Sequence, residues 1–147
     1  MINFSAVYMI RCGPGGWVEA QCGGVQNLAR LRERVAALSS SPRFALSLAN
    51  YRDSWVFSDA KTAATGLRRA GFINVRTSID PAPTCFETKD DFCEFLATAV
   101  LHRRLALIPD PQLGQQFLSE LAEQAALDNP PLELDYWRLN LSARKPE

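Results

Sequence analysis

Apolar side chains at Leu28, Leu31, Val35 and Leu38 recur at helical spacing, with Arg30, Arg32, Glu33 and Arg34 on the other faces. Val25–Leu38 is therefore predicted as an amphipathic helix. Upstream, Phe4–Ile10 reads as the last turns of a helix stopped by Gly13-Pro14-Gly15-Gly16. Trp17–Cys22, bounded by glycines, reads as a short buried strand of a parallel sheet. Ser39–Phe57 mixes Ser and Pro with Phe44, Tyr51 and Trp55, which predicts a loop or short helix that packs aromatics. Ser58 and Asp59 offer capping oxygens to a helix through Ala70, and Gly71 stands where a left-handed residue would end it. Ile73, Val75, Thr77 and Ile79 then alternate with Asn74, Arg76 and Ser78, the period of a strand.

Past Pro81 and Pro83, Thr88 with Asp91 forms a capping box for a helix with an apolar stripe at Phe92, Phe95, Leu96, Ala99, Val100 and Leu105. Pro109 ends it. Asp110-Pro111 opens another helix, with Leu113, Phe117, Leu118, Leu121 and Ala125 inward, and Asn129-Pro130-Pro131 closes it. Leu132–Ala143 is predicted as one final strand. Its apolar positions are even at Leu132, Leu134 and Tyr136 but odd from Trp137 to Ala143. That switch implies a bulge or burial on both faces, and an interior strand covered by helices on both sides is the expectation.

Strands alternating with helices give half of an α/β sheet, and 147 residues at 47% hydrophobic suffice for the core of a single domain, 1–147. The 16 basic and 16 acidic residues balance, so no long-range field draws the chain to nucleic acid or an anionic membrane, and small-molecule chemistry fits better. Cys12, Cys22, Cys85 and Cys93 form no CxxC pair, and they read as reduced thiols. Met1–Ile10 has neither a basic leader nor spanning length. A soluble cytoplasmic protein is expected.

Three segments carry a resemblance. Pro14-Gly15-Gly16-Trp17-Val18-Glu19-Ala20-Gln21 resembles the turn before the fifth strand of class I S-adenosylmethionine-dependent methyltransferases. Leu67 to Val75, with its Ala70-Gly71-Phe72, resembles the passage into their sixth strand, and Asp135-Tyr136-Trp137-Arg138-Leu139 resembles the seventh strand of the small-molecule branch that includes trans-aconitate methyltransferase-like enzymes. The resemblance implies an α/β fold, namely the C-terminal part of a Rossmann-like methyltransferase sheet, with a helical insertion at about 86–129 before the last strand. It also implies S-adenosylmethionine as cofactor and a small organic acceptor, reached by an in-line displacement that depends on positioning. The glycine-rich turn after a first strand, which in that family approaches the cofactor, has no counterpart here. The expectation is a truncated domain with little or no activity alone. A rival reading is a non-catalytic remnant that forms a homodimer, or joins another chain, through the strand edge left open at Trp17–Cys22. A third makes the chain part of a longer enzyme.

Catalytic and cofactor-binding residues are not assignable from sequence. Substrate-binding candidates are Gln21, at the carboxyl end of its strand where open α/β sheets bind ligands, and Tyr51, Trp55 and Phe86. His102, the sole histidine, joins them as the side-chain type that most often serves as a general base. For the aromatics the plainer alternative is ordinary core, and for His102 a surface residue favoured by a helix C-terminus. Cys93 and His102 do not share a helix face, so no metal site is expected.

Overall fold

The structure, a computed structural model, describes residues 13–147. The expected helix at Phe4–Ile10 and Cys12 lie outside the described residues. The chain divides into two compact units. The first contains the described residues up to Asn27, Val56–Ala82 and Tyr136–Glu147, and the second contains Leu28–Trp55 and Pro83–Asp135.

In the first unit, β1 (Trp17–Gly23), β2 (Ile73–Pro81) and β5 (Trp137–Arg144) form a sheet in the order β1-β5-β2, with β5 antiparallel to both neighbours. The C-terminal strand is thus interior, as its sequence led us to expect. The turn before β1 closes through Gly16 N–H donating to Gly13 C=O at 3.0 Å, with Gly15 at φ 69°. Helix α3 (Ala60–Arg69) begins where Asp59 accepts from Thr62 N–H at 2.8 Å. It ends in a Schellman arrangement, with Gly71 N–H donating to Arg68 C=O and Phe72 N–H to Leu67 C=O. Gly71 takes φ 92°, a left-handed conformation that favours glycine. Leu67 and Phe72 then bury against Ala143, with Val18, Val75 and Leu141 around them.

Register decides which side chains share this core. Because side chains alternate along a strand, Val18, Ala20, Leu139, Leu141 and Ala143 lie on one face. Glu19, Gln21, Asn140, Ser142, Arg76 and Ser78 lie on the other. The latter face carries polar groups, most of them exposed, in place of the second apolar layer expected from sequence. The bulge is in β2, where pairing jumps from Ile73↔Arg144 to Arg76↔Ser142 and Asn74 adopts φ 52°. The inserted residue flips Ile73 to the polar face, where it is exposed, so it does not join Val75 inward. The parity switch in the predicted final strand has another cause. Leu134 belongs to a separate short strand, β4 (Glu133–Leu134), paired with β3 (Thr84–Cys85), and β5 starts only at Trp137.

The second unit is mainly helical: α1 (Ala29–Ser39), α2 (Ala45–Leu48), α4 (Lys89–Phe95), α5 (His102–Leu105) and α6 (Pro111–Ala126). Helix α1 starts later than the predicted Val25, because Leu28 takes a left-handed conformation with no side-chain cap. Asp135 supplies that function from a distance: its carbonyl accepts from Leu28 N–H at 3.0 Å and its carboxylate from Arg30 N–H at 3.1 Å. Thr88 and Asp110 cap α4 and α6 as predicted, through Asp91 N–H and Gln112 N–H. Phe117 on α6 is fully buried and meets Phe44 edge to face, with centroids 5.0 Å apart. Arg34 holds Asp128 through two hydrogen bonds of 2.8 and 2.6 Å, and Arg30 bridges Glu133 at 2.6 Å. Arg43 pairs with Glu120.

The single helix expected after Thr88 is interrupted. Leu96–Val100 forms a π-helical turn, closed by Leu101 N–H donating to Leu96 C=O at 2.7 Å. One added residue per turn rotates the downstream helix about its axis. Leu96 and Leu101 become buried, Ala99 stays exposed, and Arg104 is carried inward to 6% exposure. No helix among the described residues is long and apolar enough to cross a membrane.

Candidate functional site

The π turn builds one wall of a cavity in the second unit. Tyr51, Ser54 and Trp55, from the segment after α2, face Ala99, Val100, His102 and Arg103 around about 280 Å³. Three of the five sequence candidates, Tyr51, Trp55 and His102, are therefore brought together. Tyr51 and Trp55 are half-buried, and His102 is exposed at the start of α5. Tyr51 N–H donates to Leu48 C=O at 3.0 Å, which anchors the segment to the end of α2.

Behind Tyr51 sits Arg104. Its guanidinium carbon lies 4.4 Å from the Tyr51 ring centroid, its Nη2 donates to Asp53 Oδ2 at 2.7 Å, and its Nη1 donates to Ser39 Oγ at 2.9 Å. Ser39 Oγ in turn donates to Val35 C=O at 2.6 Å. A buried cation needs such compensation, because removal from water costs several kcal/mol unless charge and hydrogen bonds replace the solvent. Arg104 thus positions the Tyr51 ring, and Asp53 neutralises it. Its neighbour Arg103 is exposed and makes no ion pair or side-chain hydrogen bond among the described residues. Sequence reasoning missed Ser54, Arg103 and Arg104. The adjacent arginines look alike in the chain, and the phase change at the π turn decides which of the two is buried.

Phe86 does not line this cavity. It packs against Phe92 edge to face at 5.5 Å and against Phe95 at 5.2 Å. Gln21 lies in the first unit, on the polar sheet face, in an open groove of about 530 Å³. There Gln21 Nε2 donates to Asn140 Oδ1 at 2.7 Å, and Asn140 Nδ2 donates to Asp80 Oδ2 at 2.7 Å. Ser78 Oγ also donates to Asp80 Oδ2, again at 2.7 Å. A chain of mutually satisfied amides, hydroxyl and carboxylate fits a solvated face.

Nearby, burial pushes the Tyr136 phenol above its ordinary range, opposed by the Arg138 guanidinium 4.4 Å from its ring centroid. Cys22, Cys85 and Cys93 are free thiols, and no three His, Cys, Asp or Glu side chains among the described residues gather as a metal-binding set.

No family model and no curated protein matches this chain. Among solved structures it is similar to phospholethanolamine N-methyltransferase 2 from Haemonchus contortus, in complex with phosphomonomethylethanolamine and S-adenosylhomocysteine. That likeness has 13% identity and a TM-score of 0.42, and covers 99% of this chain. The chain spans 30% of that protein's length.

Proposed function

We propose that this chain is the C-terminal part of a class I S-adenosylmethionine-dependent methyltransferase, of the small-molecule branch that includes trans-aconitate methyltransferase-like enzymes, and that it contributes the acceptor side of the site. One observation carries the reading: the three segments that resemble that family each lead into or form a strand of the same sheet. The Pro14-Gly15-Gly16 turn precedes β1, Ala70-Gly71-Phe72 precedes β2, and Tyr136-Trp137 opens the interior antiparallel β5. The helices α4 to α6 occupy the interval expected for a substrate-covering insertion. In this reading Tyr51, Ser54, Trp55, His102 and Arg103 hold a small organic acceptor, and their contribution to rate is orientation.

The described residues do not fit the cofactor. Gly23 ends β1 and Gly24 follows it, where a cofactor turn would lie, but they leave no cradle. A Cβ on Gly23 would meet the Phe57 ring at 2.6 Å and Asn27 at 2.7 Å, and one on Gly24 would meet Ile79 at 3.1 Å and Leu139 at 3.3 Å. The N-terminus of α1 is already taken by Asp135. We therefore assign no step of methyl transfer to these residues, and the chain alone is expected to be inactive.

Calorimetric titration with S-adenosylmethionine tests this. The 147-residue chain should give no micromolar binding, and a version extended by in-frame upstream codons that encode a glycine-rich turn should give it. Micromolar binding by the 147-residue chain would overturn the assignment.

A second reading rests on the sheet edge. Among the described residues β1 pairs only with β5 along its length, and Trp17 at its start is 54% exposed. Edges of this kind join other chains. In that reading the chain is an assembly module that dimerises, and a clean monomer by light scattering at high concentration counts against it.

A further inference from the structure

We infer that the cavity between Tyr51, Trp55 and Arg103 takes a planar organic anion, and specifically an aromatic carboxylate. The inference rests on the acceptor reading for its biological meaning, but the binding it asserts needs no cofactor. Four observations lead to it.

The walls are two aromatic side chains, which accept a flat group by stacking. Besides the aromatic pair, the polar residues of the lining are Ser54, His102 and Arg103, and among the described residues no Asp or Glu lines the cavity. A cationic or amine ligand would find no countercharge there. Asp53, the nearest carboxylate in sequence, is committed to Arg104 at 2.7 Å. Arg103, by contrast, makes no ion pair or side-chain hydrogen bond among the described residues, so its fork of donors is available to a carboxylate. Finally, the arrangement depends on a π-helical turn at Leu96–Val100. Such turns give up regular backbone hydrogen bonding and recur where side chains must be re-aimed for function. Here the turn puts His102 and Arg103 on the cavity wall, while Arg104, paired with Asp53, packs 4.4 Å from the Tyr51 ring centroid and fixes that ring in place.

The test uses the 147-residue chain without cofactor. Benzoate, benzamide and benzylamine are titrated at pH 8 and followed by ligand-observed NMR. A probe of about nine heavy atoms should bind in the roughly 0.1 to 1 mM range. Benzoate should bind about tenfold or more tightly than its neutral amide, the worth of one charge-assisted hydrogen bond, and benzylamine should be weakest. Arg103→Gln should erase the preference for benzoate over benzamide. Trp55→Leu should weaken both about equally. An exposed residue such as Arg103 tolerates substitution, so folding is preserved. Equal binding of benzoate and benzamide, binding of benzylamine stronger than that of benzoate, no saturable binding of benzoate at 10 mM (about ten times its weakest expected constant), or an unchanged preference in Arg103→Gln would each overturn the inference. Because S-adenosylmethionine is absent throughout, failure here leaves the methyltransferase reading to its own titration.

Discussion

Replacing Arg104 by Met separates a buried cation from its exposed neighbour. Met keeps the stem that packs in place but removes the bonds from Nη2 to Asp53 and from Nη1 to Ser39, and the contact 4.4 Å from the Tyr51 ring. Hydrogen bonds to charged groups contribute about 1.5 to 3 kcal/mol, and a partly desolvated cation–π contact about 0.5 to 2 kcal/mol. Against that, two orphaned partners recover quickly. Asp53, whose side chain is 33% exposed, can rehydrate, and Ser39 keeps its bond to Val35 C=O. The desolvation cost of the guanidinium itself is also relieved. The net loss for Arg104→Met should be about 2 to 4 kcal/mol, against less than about 0.5 kcal/mol for Arg103→Met. With a urea slope of about 2 kcal/mol/M, the midpoint followed by circular dichroism should fall by about 1 to 2 M for the first and barely move for the second. Arg104→Lys should fall between them, because an ammonium keeps charge but cannot form both bonds in the fork geometry. Equal midpoints for the Arg103 and Arg104 variants would refute the burial of Arg104 that the phase of the π turn brings about.

Gly71→Ala should cost about 1 to 2 kcal/mol by the same denaturation measurement, because φ 92° is unfavourable for any residue with a Cβ, and a cost under half of that would argue against the Schellman ending of α3. Phe117→Ala should cost about 3 to 5 kcal/mol, as the side chain is fully buried and loses its edge-to-face partner Phe44; a urea midpoint within error of wild type would contradict that packing. The Arg34 hydrogen bonds hold the Asp128 carboxyl below its ordinary range, with burial opposing them. A folded-state pKa below the unfolded value of about 3.9 means that the pair stabilises fully above that pH and loses its contribution as pH falls through the folded value. Asp128→Asn should therefore be less stable than wild type at pH 7, and the two should converge below about pH 4. A gap that stays constant across a pH series would rule out the ion pair as its source.

Local chemistry was legible from the chain itself. Asp59, Thr88 and Asp110 accept from backbone N–H groups two or three residues on, and Gly71 ends α3, so each of these boundaries is decided within a few residues of sequence. The α/β alternation and the helices between the last two strands of the sheet followed from hydrophobic period together with capping residues and Gly and Pro stops. Tyr51 and Trp55 were candidates as aromatics beside an expected ligand and His102 as the sole histidine, but that these three line one cavity is visible only in the fold. What the chain could not reveal was phase. The bulge at Asn74 is set by pairing with β5, and it turns Ile73 outward against its own alternating pattern. Leu132–Ala143 looks like one strand because apolar residues are continuous, yet Leu134 pairs with Thr84 while Leu139 pairs with Ile79 and Cys22. Gln21 and Phe86 satisfied the sequence criteria for a ligand site, but register put Gln21 in the polar ladder and packing gave Phe86 to Phe92 and Phe95. The roles of Arg103 and Arg104 depend on one extra residue in the turn before them. Sequence determines such features only through contacts between distant residues, and those contacts exist only once the chain has folded.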